Sequence, residues 1–139
     1  MLYIHSHGNL TKIVCNNKIQ KANMSPFSIV KGLCKRELFS YESRITLTKQ
    51  TLNIKSKIPI YINEKVLLMP TNSGKRYDTF WINYYEIFSY EKYFNKTLVL
   101  FYNLKELTLD ISYSSFLKMV SKARIIDEYF EKRLNYPFV

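Results

Sequence analysis

A chain of 139 residues with 47% apolar and 16% aromatic content can bury a modest core and falls outside the disordered class. The net charge of +10 is uneven: residues 1–80 hold thirteen Lys or Arg against four Asp or Glu, residues 81–139 eight against seven. No apolar run approaches the roughly 20 residues of a membrane span, and MLYIHSHGN lacks a signal-peptide pattern, so a cytoplasmic protein with one localised cationic surface is expected.

In chain order, LYI, TKIVC and FSIVK read as short strands separated by polar turns. Residues 44–55, RITLTKQTLNIK, alternate: Ile45, Leu47 and Lys49 point one way, Thr46, Thr48 and Gln50 the other. Leu52 and Ile54 resume the pattern after a slip of one residue, as a bulge or a loose strand end. IPIYI and KVLLM flank Asn63-Glu64 and predict a hairpin, with Pro59 suited to an edge or first strand position. Phe80–Phe88 and Thr97–Phe101 are further strands, joined through SYEKYFN. Asn103 turns the chain into LKELTLDI, whose Leu104, Leu107, Leu109 and Ile111 line a core edge.

The period then changes from two to 3.6. Ser112 or Ser114 caps a helix whose apolar positions are Phe116, Val120, Ala123, Ile126, Phe130 and Leu134, with Pro137 as its stop. The fold class expected is α+β, a mainly antiparallel sheet followed by a C-terminal amphipathic helix, in a single domain over residues 1–139.

The basic set comprises Lys31, Lys35, Arg36, Arg44, Lys49, Lys55, Lys57, Lys75 and Arg76, and only Glu37 and Glu42 oppose it between Lys31 and Lys57. Cations grouped in this way neutralise phosphates and release counterions, which is the sequence-independent part of nucleic-acid binding. Ser73-Gly74-Lys75-Arg76 is not a nucleotide-binding loop, because Met69 stands where its first glycine belongs and Arg76 where its hydroxyl belongs. Gly74 instead permits a tight turn that projects Lys75 and Arg76 together. Trp81 is read as a core residue, with base stacking as the alternative, and one of Tyr84 and Tyr85 as a packed ring. Lys118, Lys122, Arg124 and Lys132 share the helix with Asp127, Glu128 and Glu131, so that helix suits packing or subunit contact.

Catalysis has little support. Asp78, Asp110 and Asp127 are the only aspartates and form no paired-carboxylate or metalloprotease pattern. Cys15 and Cys34 lack a CxxC spacing and read as free thiols, while Cys34 with His5 or His7 is the remaining nucleophile–base pairing. No catalytic residue, metal ligand or cofactor is assigned.

Three segments together resemble the bacterial competence transcription factor family, ComK: Phe27 to Arg44, Lys57 to Asn83, and Leu107 to Ala123. Cys34 matches the cysteine after the Ile29-Val30 pair, Arg44 a basic-loop position, Pro70 and Thr71 the turn, Arg76 its following arginine and Trp81 the tryptophan. Ile111, Ser112 and Tyr113 match the helix entry, with Ser115 and Phe116 following. The resemblance implies a transcriptional activator of competence and DNA-uptake genes that binds paired A·T-rich boxes of double-stranded DNA, mainly through the minor groove. It implies cooperating dimers, allows a contact with RNA polymerase, and places the protein on the nucleoid when DNA-bound. Lys35, Arg36, Arg44, Lys49, Lys75 and Arg76 are then the expected DNA-binding residues. SYESRITLTK has no glycine where the family loop is often glycine-rich, the N-terminal segment is divergent, and a long C-terminal tail is not expected. The alternative is a non-specific nucleic-acid-binding or regulatory protein-interaction module that has lost activation.

Overall fold

A computed structural model describes residues 1–135. Nine strands and three helices form in the order β1 (Tyr3–His7), β2 (Leu10–Val14), β3 (Ile19–Ala22), α1 (Pro26–Arg36), α2 (Tyr41–Leu52), β4 (Ile60–Asn63), β5 (Val66–Pro70), β6 (Trp81–Asn83), β7 (Ile87–Tyr93), β8 (Lys96–Phe101), β9 (Glu106–Leu109) and α3 (Tyr113–Asn135). Six strands make one antiparallel sheet in the order β3-β2-β1-β6-β5-β4, and β7-β8-β9 make a second. The α+β class with antiparallel sheets and a C-terminal helix is therefore as expected.

The β6-β5-β4 half of the larger sheet is buried on both faces, whereas β3 at its other end is largely exposed. Ile4, Ile60, Ile62, Leu68 and Trp81 pack against Val30 and Cys34 of α1. Tyr61, Leu67, Met69 and Ile82 face the other way, toward Val99, Phe101 and Leu109 of the smaller sheet and Phe116, Val120, Ala123 and Ile126 of α3. Strands covered on both sides need apolar residues at every position, which is why IPIYI and VLLM carry no polar alternation. Pro59 immediately precedes β4, one of the sheet's two edge strands, where its missing N–H removes no ladder bond.

Two expected strands are helices. FSIVK lies inside α1, which opens with Ser25 as N-cap, its hydroxyl accepting from Ser28 N–H at 3.1 Å, and Pro26 in the first turn. Val30 and Cys34, four residues apart, form the buried stripe. Residues 44–55 lie mostly in α2, capped by Ser40 accepting from Ser43 N–H at 3.2 Å and ended by Asn53 in the left-handed region (φ 55°). Its inward positions are Arg44, Ile45, Thr48 and Leu52, whereas Leu47 is 58% exposed. The threonine-rich alternation is thus a helix with β-branched residues, and the caps decide it.

Phe80–Phe88 is also not one strand. Asn83 ends β6 and caps a single 3₁₀ turn, Tyr84–Glu86, before β7 begins, and SYEKYFN belongs to β7 and its turn. In α3 the N-cap is Ser112, whose hydroxyl accepts from Ser115 N–H at 3.2 Å. Phe116, Val120, Ala123 and Ile126 are buried as expected, and Phe130 stacks on Tyr61 at 3.8 Å between ring centroids. The side chain of Leu134 and the helix stop at Pro137 lie outside the described residues.

Both cysteines are free thiols, Cys15 half-buried and Cys34 fully buried. Burial pushes the Cys34 thiol up to about 11, opposite to what a nucleophile needs, so its pairing with a histidine loses its chemical basis. Cys34 therefore stays a protonated thiol near neutral pH. A thiol reagent is expected to label Cys15 alone in the native protein and both cysteines in denaturant. Equal native labelling of the two would contradict the packing of α1 described here.

Candidate nucleic-acid interface

Between β5 and β6 the chain makes a nine-residue excursion, residues 71–79, whose neck is closed by two buried threonines. Thr71 N–H donates to Phe80 O, and Phe80 N–H donates to the Thr71 hydroxyl, each at 2.9 Å. The Thr79 hydroxyl donates to Ser73 O at 2.9 Å. Arg76 N–H donates back to Ser73 O at 2.9 Å, so the tip is a turn held by its own backbone. Tyr77 adds an outside brace, its hydroxyl donating to Gly8 O at 3.0 Å.

Gly74 sits where this loop lies against Tyr41 and Trp81. A Cβ there would lie 2.9 Å from the Tyr41 hydroxyl and 3.1 Å from two ring carbons of Trp81. Trp81 is fully buried, and Tyr41 meets it edge-on at 6.2 Å. Trp81 is thus the floor under the cationic loop, the core role expected of it, and base stacking falls away. Gly74→Val is expected to lift the loop off that floor, costing about 1–3 kcal/mol through overpacking. A urea melt identical to wild type would show that the loop yields without strain.

Arg76 and Lys75 are exposed side by side. The Arg76 guanidinium makes a two-pronged contact with Asp78, Nε to Oδ1 at 3.1 Å and Nη2 to Oδ2 at 2.9 Å. Both partners are about 60% exposed, so the pair stiffens Arg76 at little energetic cost to exchange. Beside the loop, Lys31 pairs with Glu42 at 2.9 Å, and that hydrogen bond holds the Glu42 carboxyl below its ordinary range, with Lys75 adding to the pull. Lys55 and Lys57 flank Ser73 and Gly74 along a shared groove with Tyr41 and Pro70.

The six expected contact residues separate into three groups. Lys75 and Arg76 stand in the loop. Lys35 and Arg36 occupy the last turn of α1 and Lys49 the last turn of α2, all exposed, and the ion pairs among the described residues do not include them. Arg44 differs: it is half-buried, donates to Tyr61 O at 2.7 Å and lies over the Phe39 ring at 3.6 Å. Desolvation by that burial lowers its pKa. Lys118 and Lys122, passed over because acidic residues follow them in α3, prove to line a concavity with Lys57. Their spacing of four, one helical turn, was the available signal.

Among the described residues no group of His, Cys, Asp or Glu is arranged to hold a metal ion, and no helix is long and apolar enough to cross a membrane.

No solved structure matches the chain. It is 30% identical over 131 residues, 88% of this chain and 68% of the relative, to a competence transcription factor of Bacillus subtilis (strain 168). The family model described as ComK protein matches residues 2–135. The chain belongs to the ComK family.

Proposed function

We propose that this protein is a double-stranded DNA-binding transcriptional activator of competence and DNA-uptake genes. It recognises paired A·T-rich boxes, mainly through the minor groove, as cooperating dimers that allow contact with RNA polymerase on the nucleoid. The observation that carries this reading is the ComK match over residues 2–135, which spans every cation of the surface around residues 71–79. Lys75 and Arg76 are the central contacts, because their loop is braced at its neck and seated on Trp81, and a held cation loses little freedom on binding. Arginine is attracted by the enhanced negative potential of a narrow A·T-rich minor groove. Lys35, Arg36 and Lys49 serve as flanking phosphate contacts. Arg44 acts through the position of α2.

The test is salt-dependent binding to a duplex carrying two A·T-rich boxes, against a duplex of altered box spacing and a G·C-rich scramble. Tight, spacing-sensitive binding is expected, with Arg76→Ala weakening it about tenfold or more and leaving the fold intact. Asp78→Asn is expected to strengthen it a few-fold, because a phosphate no longer competes with a carboxylate for the guanidinium fork. Equal binding to all three duplexes would replace this reading with non-specific association.

A further inference from the structure

The concavity between the start of α3 and the segment leading into β4 has a volume of about 320 Å³. Lys57, Lys118 and Lys122 line it together with Ser56, Thr71 and Asn72, and no carboxylate is among its lining residues. We infer that it is a phosphate-binding notch, with Lys57, Lys118 and Lys122 as the cations and the Thr71–Asn72 edge as hydrogen-bonding partners.

Three observations lead there. The cations come from two segments far apart in sequence, so the fold, not composition, gathers them. Lys122 donates one proton to Ser56 O at 2.6 Å, which ties α3 to the segment before β4 and aims an ammonium that has two further donors. Burial lowers the pKa of Lys122, and the neighbouring Lys57 and Lys118 lower it further, so the charges repel one another until an anion enters. Thr71 belongs both to the notch and to the neck of the loop, so the notch adjoins the proposed interface. A backbone phosphate of the bound duplex is therefore the source of the anion, a step that rests on the proposed function; the same chemistry fits a free phosphate compound.

Two arms separate the sources, using the full chain, Lys118→Gln, and Lys118→Gln/Lys122→Gln. Lys118 is exposed, and the single variant keeps the Lys122–Ser56 bond, so its fold is retained. In the first arm, duplex affinity is measured against salt. The double variant is expected to bind several-fold more weakly on A·T-box and scrambled duplexes alike, with the slope of log K against log salt reduced by about one, and the single variant to fall between. An unchanged slope, with wild-type protein binding normally, overturns the notch as a DNA contact and leaves the proposed function standing. In the second arm, thermal stability is followed on adding pyrophosphate. Stabilisation of the wild type that both variants lose, in a protein that binds no duplex, overturns the proposed function and keeps the notch for a free phosphate ligand. Equal stabilisation of all three proteins, or none, together with an unchanged slope, overturns the notch altogether.

Discussion

Replacing Asn83 with alanine is expected to cost about 3–5 kcal/mol and to lower the melting temperature by about 10–20 °C. Asn83 is 1% exposed and uses both ends of its amide. Its Oδ1 accepts from Leu67 N–H at 3.1 Å and Tyr85 N–H at 3.3 Å, while Nδ2 donates to Met1 O and Lys65 O at 3.0 Å each. One side chain thus bonds backbone groups of the N-terminus, the β4–β5 turn, β5 and the 3₁₀ turn. Alanine strands several of these groups away from water, and each stranded group costs about 1–3 kcal/mol. Asn83→Asp provides a sharper comparison: it keeps the acceptor but presents oxygen to the Met1 and Lys65 carbonyls, so it is expected to destabilise about as much as alanine. Urea melts of both variants decide the matter, and a loss below about 1 kcal/mol in each would mean that the amide is dispensable.

The same residue shows why parts of this fold were legible in sequence and others were not. The β4–β5 hairpin was readable because Ile58–Met69 is a local object: two apolar runs around Asn63 and Glu64, without reference to distant chain. The α3 face was readable for a similar reason, since Phe116, Val120, Ala123 and Ile126 repeat at helical spacing within one segment. The pairing of Tyr3 with Ile82 joins residues nearly eighty positions apart, and no local pattern announces it. In α1 and α2 the signals were present but small. Ser25-Pro26, Ser40 and Asn53 are single residues whose capping outweighs β-branched runs, because a helix end left without partners costs more than intrinsic propensity returns. The candidate interface divides along the same line. Gly74, Lys75 and Arg76 are contiguous and could be read as a unit, whereas the company kept by Arg44, and the meeting of Lys57 with Lys118 and Lys122, are properties of the fold.

Arg44 is where that distinction has the largest consequence. Its guanidinium donates to Tyr61 O at 2.7 Å, lies 3.6 Å from the Phe39 ring centre and 5.2 Å from that of Phe130, and so joins α2 to β4 and α3. A hydrogen bond from a charged donor is worth about 1.5–3 kcal/mol and a partly desolvated cation–ring contact about 1–2 kcal/mol. Desolvation of the cation offsets part of this, and no ion pair with Arg44 occurs among the described residues. Arg44→Ala is therefore expected to lose about 2–4 kcal/mol. Arg44→Met should lose less, because an apolar stem of similar length keeps the ring packing and removes the buried charge. Arg44→Lys should not recover the wild-type value, since an ammonium cannot lie flat against Phe39 while reaching Tyr61 O. These variants also separate two roles that the sequence alone left merged. With Arg44 as a positioning residue, the folded Met variant keeps duplex affinity within about twofold while the melt shifts. With Arg44 as a phosphate contact, the Met variant melts near wild type, binds many-fold more weakly and loses about one from the salt slope. Its contacts with Tyr61 and Phe39 put the expectation on the first outcome, and take Arg44 out of the set of cations that the duplex meets.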